Sequence, residues 1–356
     1  MMRRSLLVGL VLWLAPACAL RLVTFNIHGW RDEQHNDNLD RLIDLLKSLQ
    51  PDVLCLNEVL HPFVAPAAED EYWLEVRERR GYGYPPPPDS RPDEADQRCY
   101  LRRMAEALGL THLAYGAAAG ADAEPTPFRR SFFGQYPFGN AILSRHELTD
   151  VRRATMQVGP DDLTLGDQPR TEDDLEDRQL LSARVMLPDG CCMGVCVTHL
   201  DHKAEELRER QAAEVAHHCA TAFGDDNLPH VVCGDLNSFD RRDMSDAQWA
   251  SIHELYQSRG WTPPPQPDSR VQRIFHDAGY EDAFAARSDA SSEPQALPPP
   301  TCWTMTRLDY IWLSSAAAQG PSSLCVQAHR TIQSDVSDHL PIICDLETQQ
   351  PQPADK

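Results

Sequence analysis

The chain has 356 residues, with 54 acidic against 33 basic side chains and a net charge of −21. That balance opposes strong non-specific binding to long nucleic acid, whose affinity comes largely from Lys and Arg displacing counterions, although a local basic patch stays open. A hydrophobic fraction of 42% is enough for a sizeable core.

The N-terminus reads as a targeting segment. Arg3 and Arg4 precede the apolar run Ser5 to Leu14, and Ala17-Cys18-Ala19 matches a small-residue cleavage pattern. The run is shorter than the roughly 20 apolar residues of a membrane span. It predicts a signal peptide over 1–19 and a secreted or secretory-pathway protein. A buried first strand or an uncleaved anchor, with a cytoplasmic or organellar location, is the alternative. A strand begins at Leu20, which leaves almost no spacer after cleavage.

Strand-like runs follow at Leu22–Asn26 and Val53–Glu58, separated by an amphipathic helix over Asn38–Leu49 with Leu39, Leu42, Ile43, Leu46 and Leu49 at helical spacing. The Pro-rich, charged stretch 61–97 reads as a surface insertion. Arg98–Leu108 reads as a helix, and Gly139–Ser144 and Leu181–Leu187 as strands. A second insertion near 155–178 carries the acidic loop Asp161–Asp177, where a solvated loop is favoured over a calcium loop. Cys192–Leu200 reads as a strand, Lys203–Phe223 as a charged helix and His230–Cys233 as a strand. Pro263–Pro267 and Ser288–Pro300 read as loops, and strands at Leu308–Ser314 and Leu340–Leu346 precede a flexible tail over 349–356. Such a pattern lacks strict β-α-β alternation. It suggests a mixed sheet, or two packed sheets flanked by helices, in one catalytic domain over 20–348.

Eleven cysteines do not settle the compartment. Cys55, Cys196, Cys233 and Cys344 lie in apolar runs, where a small buried hydrophobe is the expected role, and no CxxC pair has zinc-site spacing.

The informative pattern is where polar residues sit. The runs before Asn26, Glu58, His199 and Asp235-Leu236-Asn237 each deliver polar side chains at a C-terminal strand end. Ser337-Asp338-His339 instead precedes a strand, and an antiparallel strand can start where its neighbours finish. All of them can therefore converge on one rim. Glu58 and Asp338 supply charge for a hard divalent cation and Asn26 a neutral oxygen. Asp235 and Asn237, two apart, face one side of an extended chain, the first to accept a proton and the second to orient water or phosphate. His199 and His339 can donate hydrogen bonds to developing negative charge, and Asp309 can fix a histidine tautomer. Each piece alone has a bland explanation as a turn, a cap or a solvated strand end. Packing alone has no use for so many ionisable groups at apolar run ends.

Thr24-Phe25-Asn26, Leu56-Asn57-Glu58, Gly139-Asn140-Ala141-Ile142, Thr198-His199-Leu200, Gly234-Asp235-Leu236-Asn237, Leu308-Asp309-Tyr310-Ile311 and Ser337-Asp338-His339 resemble, in this order, the motifs of the endonuclease/exonuclease/phosphatase superfamily with the deoxyribonuclease-I-like fold. The resemblance implies an α/β fold, a four-layered α/β sandwich with two packed central mixed β-sheets flanked by helices. It implies a metal site at Glu58 with Asn26 and Asp338, catalytic roles for Asp235, Asn237, His199 and the Asp309–His339 pair, and a substrate-binding Asn140. Asn57 departs from the Gln that many members carry before the metal-binding Glu. The segment from His199 to His202 opens a charged helix, either to shape substrate contacts or as a solvated helix N-terminus. The implied activity is Mg2+-dependent hydrolysis of a phosphate ester, of phosphodiesterase or nuclease type, by direct attack of water, with Mn2+ or Ca2+ as possible substitutes. The alternative is a non-catalytic binding or scaffold protein that retained the fold. The expected partner is a phosphate-ester substrate, with nucleic acid disfavoured by net charge, no stable membrane span after signal removal, and a monomeric state. Trp30, Trp261 and Trp303 are expected to be buried by packing rather than to stack on a ring.

Overall fold

The fold is described from a computed structural model, which covers residues 19–34, 36–63, 97–118, 138–158, 162, 177–261, 263–287, 297–319 and 323–349. The targeting segment before Ala19, most of both insertions and the tail beyond Gln349 lie outside these residues.

Runs of β-branched and aliphatic residues form strands buried on both faces, and these occupy the sheet centres. One sheet contains β1 (Ala19–Asn26), β2 (Val53–Leu60), β3 (His112–Ala117), β4 (Phe138–Ser144), β11 (Ser323–Thr331) and β12 (Ile342–Gln349), in the order β11-β12-β1-β2-β4-β3. The other contains β5 (Leu148–Met156), β6 (Arg178–Met186), β7 (Cys192–His199), β8 (His230–Asp235), β9 (Glu281–Asp282) and β10 (Asp309–Leu313), in the order β5-β6-β7-β8-β10-β9. β1 and β2 run parallel, as do β7 and β8, while their outer neighbours run antiparallel. Parallel neighbours need a crossover, and helices supply both: α1 (Leu39–Leu49) for the first pair and α3 (Glu205–Phe223) for the second.

The sheets pack face to face through Leu22, Val53, Cys55 and Ile142 against Val195, Val197, Val231 and Ile311. On the outer face of the first sheet, α1 buries Leu39, Leu42, Ile43, Leu46 and Leu49 together with α2 (Tyr100–Leu108). On the outer face of the second, α3 and α5 (Arg270–Asp277) bury Val215, Cys219, Phe223, Val271 and Phe275. The result is the four-layered α/β sandwich expected from the sequence. Between β8 and β10 stand α4 (Asp246–Arg259), whose N-terminus has a Ser245–Gln248 capping box, and α5, and further on the short α6 (Ala283–Ala286) and α7 (Ser315–Gln319).

Three differences from the sequence expectations have physical causes. The strands β3, β5, β9 and β11, absent from the sequence reading, are the edges of the two sheets. Edge strands are only half covered and need no apolar run; β5 carries Asp150, Arg152 and Arg153 at partly or fully exposed positions. Trp30 is buried and donates its indole N–H to the Leu60 carbonyl at 2.9 Å, but Trp261 and Trp303 are 41% and 49% exposed, which corrects the expectation that packing buries them. The first helix starts at Leu39, one residue later than expected, because Asn38 stands outside it and donates its amide to the Val336 carbonyl at 2.7 Å. Cys55, Cys196, Cys233 and Cys344 are free and buried, the small-hydrophobe role expected of them. Among the described residues, no helix is long and apolar enough to cross a membrane.

Candidate active site

Register brings the polar strand ends together. Asn26 lies beside Asn57 at the end of the β1–β2 pair, and His199 beside Asp235 at the end of the β7–β8 pair. Antiparallel β10 begins at the same rim, with Asp309 opposite Asp235. The segment before β12 arrives there as well, because Ser337 Oγ donates to the Asn26 carbonyl at 2.8 Å.

The backbone is bent to aim these groups. β2 bulges between Leu56 and Val59, and Glu58 takes a left-handed φ of 55°. Asn237 is left-handed too, with φ 49°. Gly234 has φ 130°, and a Cβ there would stand 2.0 Å from the Thr198 carbonyl oxygen, so β7 and β8 approach this closely only with glycine at that place. Left-handed non-glycine residues cost roughly 1–3 kcal/mol each and gather at functional sites.

Asp235 is the hub. It is 1% exposed and accepts from Asn26 Nδ2 at 3.1 Å, while its other oxygen accepts the Asn237 backbone N–H at 2.8 Å. Both His199 Nε2 and His339 Nε2 stand 3.5 Å from its Oδ2. Burial pushes the Asp235 carboxyl up to about 7, against the lowering influence of His339. His339 Nδ1 lies 2.8 Å from Asp309 Oδ2, and the Asp309 backbone N–H donates to Thr301 Oγ1 at 3.0 Å. Burial alone would lower the His339 imidazole, but the carboxylates of Asp309 and Asp235 outweigh it and hold the ring well above its ordinary value. His199 is the opposite case. Burial, then the Arg178 guanidinium, hold it well below the ordinary value, so it is neutral. Two histidines on one carboxylate thus carry different charge. Asn237 Nδ2 lies 3.0 Å from His199 Nε2 and donates to the Leu200 carbonyl at 3.0 Å, which fixes its amide.

Glu58 accepts from Asn26 Nδ2 at 3.0 Å. Its carboxyl is raised by burial and further by Asp338, with His28 opposing. A carboxyl raised by burial and by a neighbouring carboxylate suits a cation. Donor atoms of Glu58, His199 and Asp235 lie within 4.8 Å of one another, and so do those of Asp235, Asp309 and His339. Asn26, expected from the sequence to lend a ligand oxygen, faces both carboxylates with its nitrogen, and its oxygen accepts the His28 backbone N–H at 3.1 Å. It is placed to orient Glu58 and Asp235.

Asn140, implied by the resemblance to bind substrate, lies between the strands. It is 1% exposed, its amide donates to the Gln179 carbonyl at 2.6 Å, and its oxygen accepts from Asn57 Nδ2 at 2.8 Å. Asn57 also donates to the Thr198 carbonyl at 2.9 Å and accepts the Asp235 backbone N–H at 3.0 Å. These two amides bridge the sheets directly beneath the rim. A lone Asn beside Glu58 carries no sequence signal for such a role.

Arg178 was not visible as a site residue in the sequence. It is 2% exposed, with Nη1 3.2 Å from His199 Nδ1 and Nη2 2.9 Å from His202 Nδ1. An arginine at the head of an apolar strand was its only signal. His28 was missed for a similar reason: nothing in the order of residues says that the turn after β1 folds back on Asp338, whose Oδ1 lies 3.8 Å from His28 Nδ1. Asp201 serves the chain, accepting backbone N–H bonds from Lys203 and Ala204 at the start of α3. Trp303 and Met305, 49% and 57% exposed, sit on the loop that pairs with this rim, Trp303 through its backbone N–H to the Asp338 carbonyl at 2.9 Å.

Known proteins resemble this chain in sequence and in fold. The sequence profile of the endonuclease/exonuclease/phosphatase family matches residues 23–339. No curated protein matches the chain by sequence. Among solved structures, the chain is similar to an endonuclease/exonuclease/phosphatase from Beutenbergia cavernae DSM 12333, at 20% identity and a TM-score of 0.58, over 93% of this chain and 72% of that one. It is similar to the catalytic domain of human Nocturnin with bound sulfate, at 19% identity and a TM-score of 0.51, over 93% and 95% of the two chains. It is also similar to ANGEL2, described as a 2',3'-cyclic phosphatase, at 15% identity and a TM-score of 0.53, over 93% and 95%. Likeness at these identities concerns the fold.

Proposed function

The chain belongs to the endonuclease/exonuclease/phosphatase family, and from that premise we propose that it hydrolyses a phosphate ester with the help of a divalent cation, by direct attack of water. The observation that carries this reading is the Asp235 carboxylate, buried and shared among Asn26, His199 and His339. A carboxyl pushed up to about 7 is matched to proton transfer near neutrality. Asp235 takes a proton from the attacking water, and Asn237, its amide held by the Leu200 carbonyl, orients that water or the phosphoryl group. His339, kept protonated by Asp309, presents an N–H and a positive charge to the phosphoryl oxygens as they gain charge. His199, kept neutral by burial and Arg178, supports Asp235 without competing for its proton.

Glu58 would hold the cation together with Asp338, whose charge acts on the Glu58 carboxyl, and the donor atoms of His199 and Asp235 lie within 4.8 Å of Glu58 and of each other. Bound there, a divalent ion would polarise a phosphoryl oxygen and stabilise charge on the leaving oxygen. Mg2+ is the proposed ion. Export through the segment 1–19 belongs to the same proposal; the expected result is a mature N-terminus at or near Leu20 in exported protein.

Hydrolysis of bis-p-nitrophenyl phosphate is the test. Activity is expected with Mg2+ or Mn2+, lost in EDTA and restored by adding the ion back; full activity in EDTA would overturn the reading. Calorimetry should show divalent-cation binding that Glu58→Ala abolishes.

Asp309→Asn has a pH signature. Without the Asp309 charge, His339 falls toward the lower value that burial favours. The protonated fraction above neutrality drops, so the basic limb of kcat/KM moves to lower pH. Activity should fall by roughly 10²-fold, and by more at alkaline than at acid pH. The same pair contributes stability that is fully present below about 6.5, the unfolded value, and is lost as pH rises through the raised folded value. Thermal melts of wild type and Asp309→Asn should therefore converge on the alkaline side. A pH profile parallel to the wild type would dismiss the Asp309–His339 assignment.

A further inference from the structure

Two neutral amides beneath the rim take no part in the chemistry above. The bulge in β2 sets Asn57 and Glu58 together opposite Asn140 of β4, since Leu56 pairs with Ala141 and Val59 with Gly139. Asn57 turns inward and is fully buried, while Glu58 follows it at φ 55° and meets Asn26 at the rim. Every N–H of the two side chains is spent. Asn57 Nδ2 donates to Asn140 Oδ1 at 2.8 Å and to the Thr198 carbonyl at 2.9 Å, and Asn57 Oδ1 accepts the Asp235 backbone N–H at 3.0 Å. Asn140 Nδ2 donates to the Gln179 carbonyl at 2.6 Å and to the Val197 carbonyl at 3.5 Å. A backbone carbonyl only accepts and a backbone N–H only donates, so neither amide can be turned round. Asn57 and Asn140 stand on strands of one sheet, and Gln179, Thr198 and Asp235 on strands of the other. Below this level the sheets meet through apolar side chains such as Cys55 and Val197, whose packing is non-directional.

We propose that Asn57 and Asn140 are positioning residues, which hold Glu58 in register with His199 and Asp235 across the gap between the sheets. This role rests on the divalent-cation reading of the site and deepens it. Glu58 comes from one sheet and His199 and Asp235 from the other, yet their donor atoms lie within 4.8 Å of one another. Asn57 is tied to both halves. The next residue in its own strand is Glu58, its oxygen holds the Asp235 backbone N–H, and its nitrogen holds the carbonyl of Thr198, the residue before His199. Asn140 fixes Asn57 from the side and is anchored in turn on β6. Gly234 leaves the room: a Cβ there would stand 2.9 Å from Asn57 Oδ1. Both amides act through Glu58, His199 and Asp235. A pair that only stabilised sheet packing would, once removed, lower the melting temperature and leave cation affinity as it was.

The test uses the full chain, with calorimetric titration of Mg2+ and Mn2+ alone and thermal melts of the same samples. Asn57→Ser and Asn140→Ser shorten the amides so that they no longer span the gap. Asn140→Ser is the milder variant, because Asn57 keeps its bonds to Thr198 and Asp235. Val53→Ala, on the same strand and buried in the same interface, is the control for lost stability. The expected result is cation affinity about 10–100-fold weaker in Asn57→Ser and weakened by a smaller factor in Asn140→Ser. Val53→Ala is expected to melt lower with its affinity unchanged. The double Ser variant should bind no more weakly than Asn57→Ser, since Asn140 acts through Asn57. Wild-type affinity in the folded Ser variants, or a loss of affinity in Val53→Ala equal to theirs, overturns this role and leaves the hydrolase reading standing. If Asn57→Ser does not fold, Asn140→Ser decides by the same criterion. If wild type binds no divalent ion at all, both fall together.

Discussion

Replacing Asp235 with Asn should lower kcat by about 10²–10⁴-fold while leaving the protein folded. The amide keeps the size of the side chain and one oxygen to accept the Asn237 N–H, which now bonds Asp235 Oδ1 at 2.8 Å. It cannot take a proton from water. The stability side has a definite sign. Asp235 is raised by burial to about 7, above the unfolded value near 3.9. Between those values the folded state binds the proton and the unfolded state does not, so the contribution of Asp235 to stability falls as pH rises through that window. Removing the carboxyl removes that slope. Melts across pH 4 to 8 should therefore be flatter in Asp235→Asn than in wild type, with the variant at or above the wild-type melting temperature at the alkaline end. Activity close to wild type in a folded variant would remove Asp235 from the mechanism. A variant melting far below wild type at every pH would mean that the carboxylate holds the rim together.

Gly234→Ala should damage the fold itself. A methyl group at that position meets the Thr198 carbonyl oxygen at 2.0 Å and Asn57 Oδ1 at 2.9 Å, on a backbone with φ 130° that side chains rarely adopt. The obstacle is strand backbone, which cannot move without breaking the β7–β8 ladder that sets His199 beside Asp235. A loss of about 3–5 kcal/mol is expected, in the range reserved for strained backbone and overpacked cores. Gly109→Ala is the matched control. Its φ of 66° is also left-handed, but nothing stands within 4 Å, so only the conformational cost of about 1–2 kcal/mol applies. Urea unfolding of the two variants separates them; equal losses would show that close approach of the strands is not what requires glycine at 234.

The comparison between sequence and structure divides along burial. β1, β2, β7 and β8 were legible because a strand covered on both faces reads as an apolar run, and a polar residue at its end stands out against it. β3, β5, β9 and β11 were not, because an edge strand takes its conformation from its neighbour and leaves no run of its own. At the site, Glu58, Asp235 and His339 were legible as ionisable groups where packing has no use for them. The hydrogen-bond partners of Asn26 and Asn140 were not legible in the sequence. An amide has a donor end and an acceptor end, and only its neighbours decide which end faces a carboxylate: Asn26 turns its nitrogen to Glu58 and Asp235, and Asn140 spends both ends between the sheets.

What the sequence determined by itself is the buried strands and the rim, while the four-layered architecture followed from the family resemblance. Apolar runs and helical spacing specify which segments are buried, and polar residues at the run ends let them converge on one rim. What only the tertiary structure decided is charge and direction. Burial and the Arg178 guanidinium make His199 neutral, while Asp309 keeps His339 charged, although both rings lie 3.5 Å from the same carboxylate. The bulge at Glu58 bends β2 at the rim, and the left-handed turn at His28 brings its ring within 3.8 Å of Asp338. These properties depend on distances between residues far apart in the chain and on the solvent excluded between them.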